Sequence, residues 1–174
     1  NPQVTCLGYW LRDFEKYWLL DTQMPKNVLL GRLPYAHQIY TEQEKMFKLK
    51  CRFTGEKSKG TIIVHKHLEN KEFDKFMTTT VAFLNLIDTS ANNGVTDCLA
   101  RNIPLLVNYH PAVVQYLGDD YPFYYNSLET ANKKIEDFAL IKETHNYLKN
   151  MDKSRLDIHT FLKEFENSNI YQSL

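Results

Sequence analysis

Between Asp88 and Leu106 the chain reads DTSANNGVTDCLARNIPLL. Thr89, Ser90, Ala91, Asn92, Asn93 and Gly94 are small or amide-bearing, and Asp97 follows shortly after. Side chains this small let an anionic ligand approach the backbone. A helix starting there offers free N–H groups and the positive end of its dipole. Ser90 or Asn92 can cap that helix, and the free amides suit a phosphate. Asp97, about one turn on, puts a carboxylate where it can accept hydrogen bonds from ribose hydroxyls. The plainer account is an ordinary N-cap followed by a solvated Asp, and spacing alone leaves both open.

Other reactive side chains give weaker signals. His65 and His67 share a face if their strand holds, but no third ligand has metal-site spacing, which favours edge-strand histidines. His110 reads as a cap before Pro111, with a place at the cleft mouth as the alternative. Cys98 sits on the apolar side of its helix, and no motif supports a Cys–His nucleophile. GRLPY (31–35) reads as a structural turn. Among Tyr9, Trp10, Phe14, Tyr17 and Trp18 most rings are core packing; one ring could stack on a base or a sugar, and the sequence does not say which.

The elements that must position these residues follow from periodicity and punctuation. Strands are expected at 4–8, 27–31, 61–67, 81–87, 104–108 and 121–126. Helical spacing joins Leu11, Phe14, Trp18 and Leu19. Thr41 and Glu44 form a capping-box pattern for a second helix. Further helices are expected at 70–79, 95–101 and 111–117, the last opened by Pro111 and closed by Gly118. From Ser127 the pattern is helical only, with stripes of Ile135, Phe138, Ile141 and Leu148, then Leu156, His159, Leu162 and Phe165. Strands alternating with helices predict an α/β, Rossmann-like fold: a mainly parallel sheet with helices on both faces and a C-terminal helical tail. The expected organisation is a nucleotide-sugar-binding domain over 1–126, with C-terminal helices over 127–174 packing on it.

Bulk properties narrow the class. Twenty-one basic and 21 acidic residues give zero formal charge, without the basic excess of a general nucleic-acid binder. No apolar run approaches the roughly 20 residues that span a bilayer, and no secretory signal is visible. Cys6, Cys51 and Cys98 are odd in number and far apart. Free thiols in a reducing compartment are the expectation, which points to the cytoplasm (of a host cell, were the chain viral).

The residues FLNLIDTSANNGVTDCLARNIPLLVNYHPAVVQYLGDDYPFYY resemble the donor-binding half of GT-B-fold glycosyltransferases. They are most similar to a group whose pattern runs D-x-SANN-x-x-x-EC-x-x-RN-x-P-hydrophobic-x-VN-x-x-PA-x-x-EYLG-x-x-YP. Upstream, GYWLRDFEKYWLL resembles the G-W-W-L-R segment that opens this half. ENKEFDKFMTTTVAFLNL is similar to its sN-x-EYD-x-L-x-x-x-VFL segment. The resemblance runs in order from Val4 to Tyr125. Asp97 and Gln115 stand where the group usually has Glu; the first shortens the reach to a ribose and the second removes a charge beside the cleft.

The resemblance implies a nucleoside-diphosphate-sugar site with no metal or other cofactor. It puts Arg12, then Lys16, against the diphosphate; a surface arginine at a helix start is the plainer account of Arg12. It puts Asp97 on the ribose and Lys66, His67 and Leu68 beside the base. Ser90, Asn92 and Asn93 complete the candidate set. The implied activity is glycosyl transfer to a hydroxyl in glycan synthesis, inactive without an N-terminal acceptor-binding domain of the same protein. The catalytic base would come from that domain, so no catalytic residue is expected in this chain. The alternative is a non-catalytic Rossmann-like nucleotide-binding or protein-interaction module.

Overall fold

A computed structural model describes residues 1–89 and 92–173. Six strands form one sheet: β1 (Gln3–Leu7), β2 (Lys26–Leu29), β3 (Ile62–His65), β4 (Thr80–Leu84), β5 (Leu105–Asn108) and β6 (Tyr124–Tyr125). Their spatial order is β3-β2-β1-β4-β5-β6, and every neighbouring pair is parallel. β1 is central, with Cys6 opposite both Val28 and Phe83. The inner strands are buried nearly end to end. Continuous burial is what a parallel sheet covered on both faces requires.

The helices that follow the strands are α1 (Glu15–Leu19), α2 (Pro34–Thr54), α3 (Asn70–Met77), α4 (Asn93–Arg101) and α5 (Pro111–Leu117). Each is short of the strand it follows by one loop, and the loops at the carboxyl ends of the strands meet at one edge. The core is aromatic. Phe14 lies edge-on to Tyr40, and Trp18 packs on Phe47. The Tyr17 hydroxyl lies 2.8 Å from Val4 O and 2.7 Å from Asn27 O, and accepts from Asn27 N. That one hydroxyl ties α1 to β1 and β2.

Two helix starts differ from the spacing-based expectation. Leu11 is not helical but left-handed, at φ 53°. Leu11–Asp13 instead runs antiparallel to Asn85–Ile87: Ile87 N donates to Leu11 O, Asp13 N to Asn85 O, and Arg12 bridges Leu86. The helix therefore begins only at Glu15. The second helix starts at Pro34, not Thr41. Proline sets its first turn, and Thr41 Oγ1 is left to donate to His37 O inside the helix. A reciprocal capping box is found at Glu69 and Glu72, opening α3.

α6 (Leu128–Ile135) and α7 (Phe138–Asn150) pack on the sheet body through Ala131, Ile135 and Leu148, all fully buried. A 3-10 turn at Ser154–Leu156 leads to α8 (Ile158–Glu166) and α9 (Asn169–Gln172), neither of which has a buried residue. Among the described residues no helix is long and apolar enough to cross a membrane.

Candidate functional site

Parallel strands end at one edge of the sheet, and the strand order reverses between β1 and β4. Crevices at such a reversal are where open α/β sheets bind ligands. A cavity of about 460 Å³ lies there. Its walls come from the loop after β1 (Gly8 to Arg12), the end of β2 (Leu29 to Gly31), Phe73 of α3, and the start of α4.

Arg12 is the buried charge of this cavity, 8% exposed. Its Nε donates to Leu7 O at 3.1 Å, one terminal nitrogen to Trp10 O at 3.1 Å, and the other to Asn92 Oδ1 at 3.0 Å. Each terminal nitrogen carries a second N–H. None of these partners is a carboxylate. Burial pulls the Arg12 pKa below its ordinary value, yet a guanidinium stays protonated in proteins. Gly8 turns the chain at φ 76°, and a Cβ on Gly94 would sit tightly, 3.3 Å from Asn92 Oδ1, while making only an ordinary contact of 3.5 Å with the guanidinium.

A layer of amides holds this arrangement. Asn92 caps α4, its Oδ1 accepting from Val95 N at 3.3 Å, while its Nδ2 donates to Thr89 Oγ1. Asn85 Nδ2 donates to Asp13 Oδ2 at 2.8 Å, and Asn85 Oδ1 accepts from the Tyr125 hydroxyl at 2.9 Å. Asn108 grips both backbone groups of Leu86. The Arg12-bearing segment is thereby fixed to β4, β5 and β6 by side chains that sequence reasoning had not singled out. Their signal is one Asn directly after β4 (Asn85) and one closing β5 (Asn108).

The other expected residues divide. Asn92, Asn93 and Asp97 line the cavity with Arg12. Ser90 lies outside the described residues. Lys16 is on α1 and does not contribute to the cavity lining. Lys66 and His67 are exposed and also away from it; His67 Nε2 lies 3.0 Å from Arg32 Nε and 3.2 Å from Glu69 Oε1. β3 ends at His65, so His67 does not share a strand face with it; His65 Nε2 meets Asn27 Oδ1 at 2.9 Å. Gly31, read from sequence as part of a turn, borders the cavity at φ 92°. His110 caps α5 through Nδ1, and Cys98 is fully buried. Of the five clustered rings, Trp10 stands out at 64% exposure and lines the cavity, whereas Phe14, Tyr17 and Trp18 are core.

No sequence family matches the chain, and no curated protein matches it. Solved structures do. One, described as OtsA in its apo form, superposes with a TM-score of 0.67 over 96% of this chain at 10% identity. A second, described as the trehalose-6-phosphate synthase OtsA, gives 0.51 over 97% at 10% identity. The likeness is one of fold, to a half of each of those two chains, as the GT-B resemblance of the sequence leads one to expect. The chain spans 43% and 44% of those two chains, less than half their length. The six-stranded parallel sheet and its flanking helices are the half-domain architecture expected from the sequence.

Proposed function

We propose that this chain is the donor-binding half of a GT-B glycosyltransferase. It binds a nucleoside-diphosphate sugar at the strand-order reversal, and a hydroxyl acceptor held by an N-terminal half attacks the sugar. The observation that carries this reading is Arg12, a buried guanidinium whose hydrogen-bond partners among the described residues include no carboxylate, on the wall of a cavity that the start of α4 also lines. Burying an unpaired charge costs several kcal/mol. An anionic ligand supplies the missing counter-charge. As the bond from the sugar's anomeric carbon to the diphosphate oxygen breaks, negative charge grows on the diphosphate. A fixed guanidinium and the helix-end amides stabilise it without reorganising. Asp97 is then placed to accept from the ribose hydroxyls. The general base belongs to the acceptor half, and the three free thiols favour a reducing compartment such as the cytoplasm.

The test is calorimetric titration with UDP, GDP, ADP, dTDP and their sugar conjugates. Saturable binding of one nucleotide is expected, weakened roughly a hundredfold in Arg12→Gln, as loss of a charge-assisted fork implies. Arg12→Lys keeps the charge and loses the fork, so it falls between. Binding unchanged in both variants overturns the reading. The second reading, a binding module without transfer chemistry, is motivated by Asp97 and Gln115, which stand where the group that the sequence resembles usually has Glu. It predicts nucleotide binding without donor turnover when the acceptor half is supplied.

A further inference from the structure

Asp97 does not stand alone on the cavity wall. Arg101, one turn further along α4, places one terminal nitrogen 2.8 Å from Asp97 Oδ1. Its other terminal nitrogen lies 3.0 Å from Asp74 Oδ1 on α3, and Nε lies 3.3 Å from the same oxygen. The guanidinium carbon sits 5.1 Å from the centre of the Phe73 ring. Phe73 and Asp97 both line the cavity; Arg101 does not. One side chain thus joins the two helices that form this flank, fixing an aromatic wall with one part of its plane and a carboxylate with another. The ion pairs are a third or more exposed, so their worth to global stability is small. Their effect is on orientation: Arg101 engages Oδ1 of Asp97 and leaves Oδ2 to accept from a ligand. Arginine suits this task because its planar fork holds two carboxylates at fixed angles, which a lysine ammonium does not.

We infer that Arg101 is a positioning residue for the cavity, holding the Asp97 carboxylate in the orientation that accepts from the ring hydroxyls of a nucleoside diphosphate. The inference rests on the donor-site reading above. It assigns Arg101 and Asp74 no contact with the ligand.

The experiment measures the affinity of the chain for UDP, GDP, ADP and dTDP, each against its counterpart lacking the ring hydroxyls. The parent chain prefers the hydroxylated form roughly tenfold, the worth of a hydrogen bond to a charged group. Arg101→Gln reduces that preference to within about threefold, as Asp97→Asn does, while binding of the hydroxyl-free counterparts is unchanged. Asp74→Asn falls between, and Arg101→Lys restores part of the preference. A purely structural role would weaken both nucleotide forms equally, and that result overturns the inference. So does a full preference retained in Arg101→Gln. Saturable binding by the parent with no hydroxyl preference also overturns it, leaving the donor site standing. Binding of none of the eight nucleotides removes both.

Discussion

Arg12 and Trp10 are two residues apart and do opposite things. Arg12 is drawn inward and anchors Trp10 by its carbonyl oxygen; the indole itself is left in solvent at the cavity. Trp18, the second tryptophan, is buried and donates to the Tyr40 hydroxyl. The emission of the native chain therefore has an exposed and a sheltered component. Nucleotide binding is expected to change the exposed component, and Trp10→Phe to abolish that response without loss of fold. An unchanged spectrum at saturating ligand would place the ligand elsewhere. The thiols give a second residue-scale expectation. Cys6 and Cys98 are fully buried, and burial pushes the Cys6 thiol up to about 12. Cys51 is partly exposed. A thiol reagent should modify Cys51 alone in the native chain and all three cysteines after denaturation; rapid native modification of Cys98 would contradict its burial. Much of the cavity was legible in the sequence because small residues, a cap and a carboxylate are local patterns. Phe73, Asp74 and Arg101 were not, although the Asp97–Arg101 spacing is a helical pairing signal. Asp74 reaches Arg101 only once two helices have packed.

At the scale of elements, Gly118 shows how closely α7 is fitted to α5. It ends α5 at φ 82°, and a Cβ there would lie 2.8 Å from the Tyr147 hydroxyl, which donates to Leu117 O at 2.7 Å. Gly118→Ala therefore carries both backbone strain and a collision. A loss of about 2 kcal/mol is expected, measured by urea unfolding. Tyr147→Phe in the same chain removes the colliding oxygen, so the double variant should be more stable than the two single losses summed. Additivity would mean that only the backbone term matters. The elements themselves were readable from strand and helix alternation, since β-branched runs and glycine punctuation are decided by neighbours in sequence. Helix starts were less so. Leu11 has the right spacing for a helix, but Asn85–Ile87 captures that segment as an extended pair, a long-range contact that no local pattern encodes. Pro34 overrode the Thr41 capping signal by fixing the backbone a full two turns earlier.

Across the whole molecule, burial of thiols and phenols sets a limit on the alkaline side. A thiol raised to about 12 in the folded chain, against 9.0 as its ordinary value, stabilises fully below pH 9. That contribution is lost as pH rises from 9 toward 12, because the unfolded chain gives up its proton first. For Cys6 the loss by pH 10.5 is about 2 kcal/mol. The gap in unfolding free energy between the parent and Cys6→Ala, measured by urea titration, should narrow by that much between pH 8 and 10.5; a constant gap would place the thiol in a wetter setting. The order of the sheet has a further consequence, in time rather than in energy. On a chain made from its N-terminus, β1 can gain β2 once Leu29 exists and β2 can then gain β3, but the other edge of β1 waits for Thr80–Leu84. For that interval the sheet is β3-β2-β1, and the strand destined for its centre is its exposed border. An apolar border of unpaired N–H and C=O groups is a template for pairing with another chain. Such a border would lie at the seam where the finished molecule places its cavity.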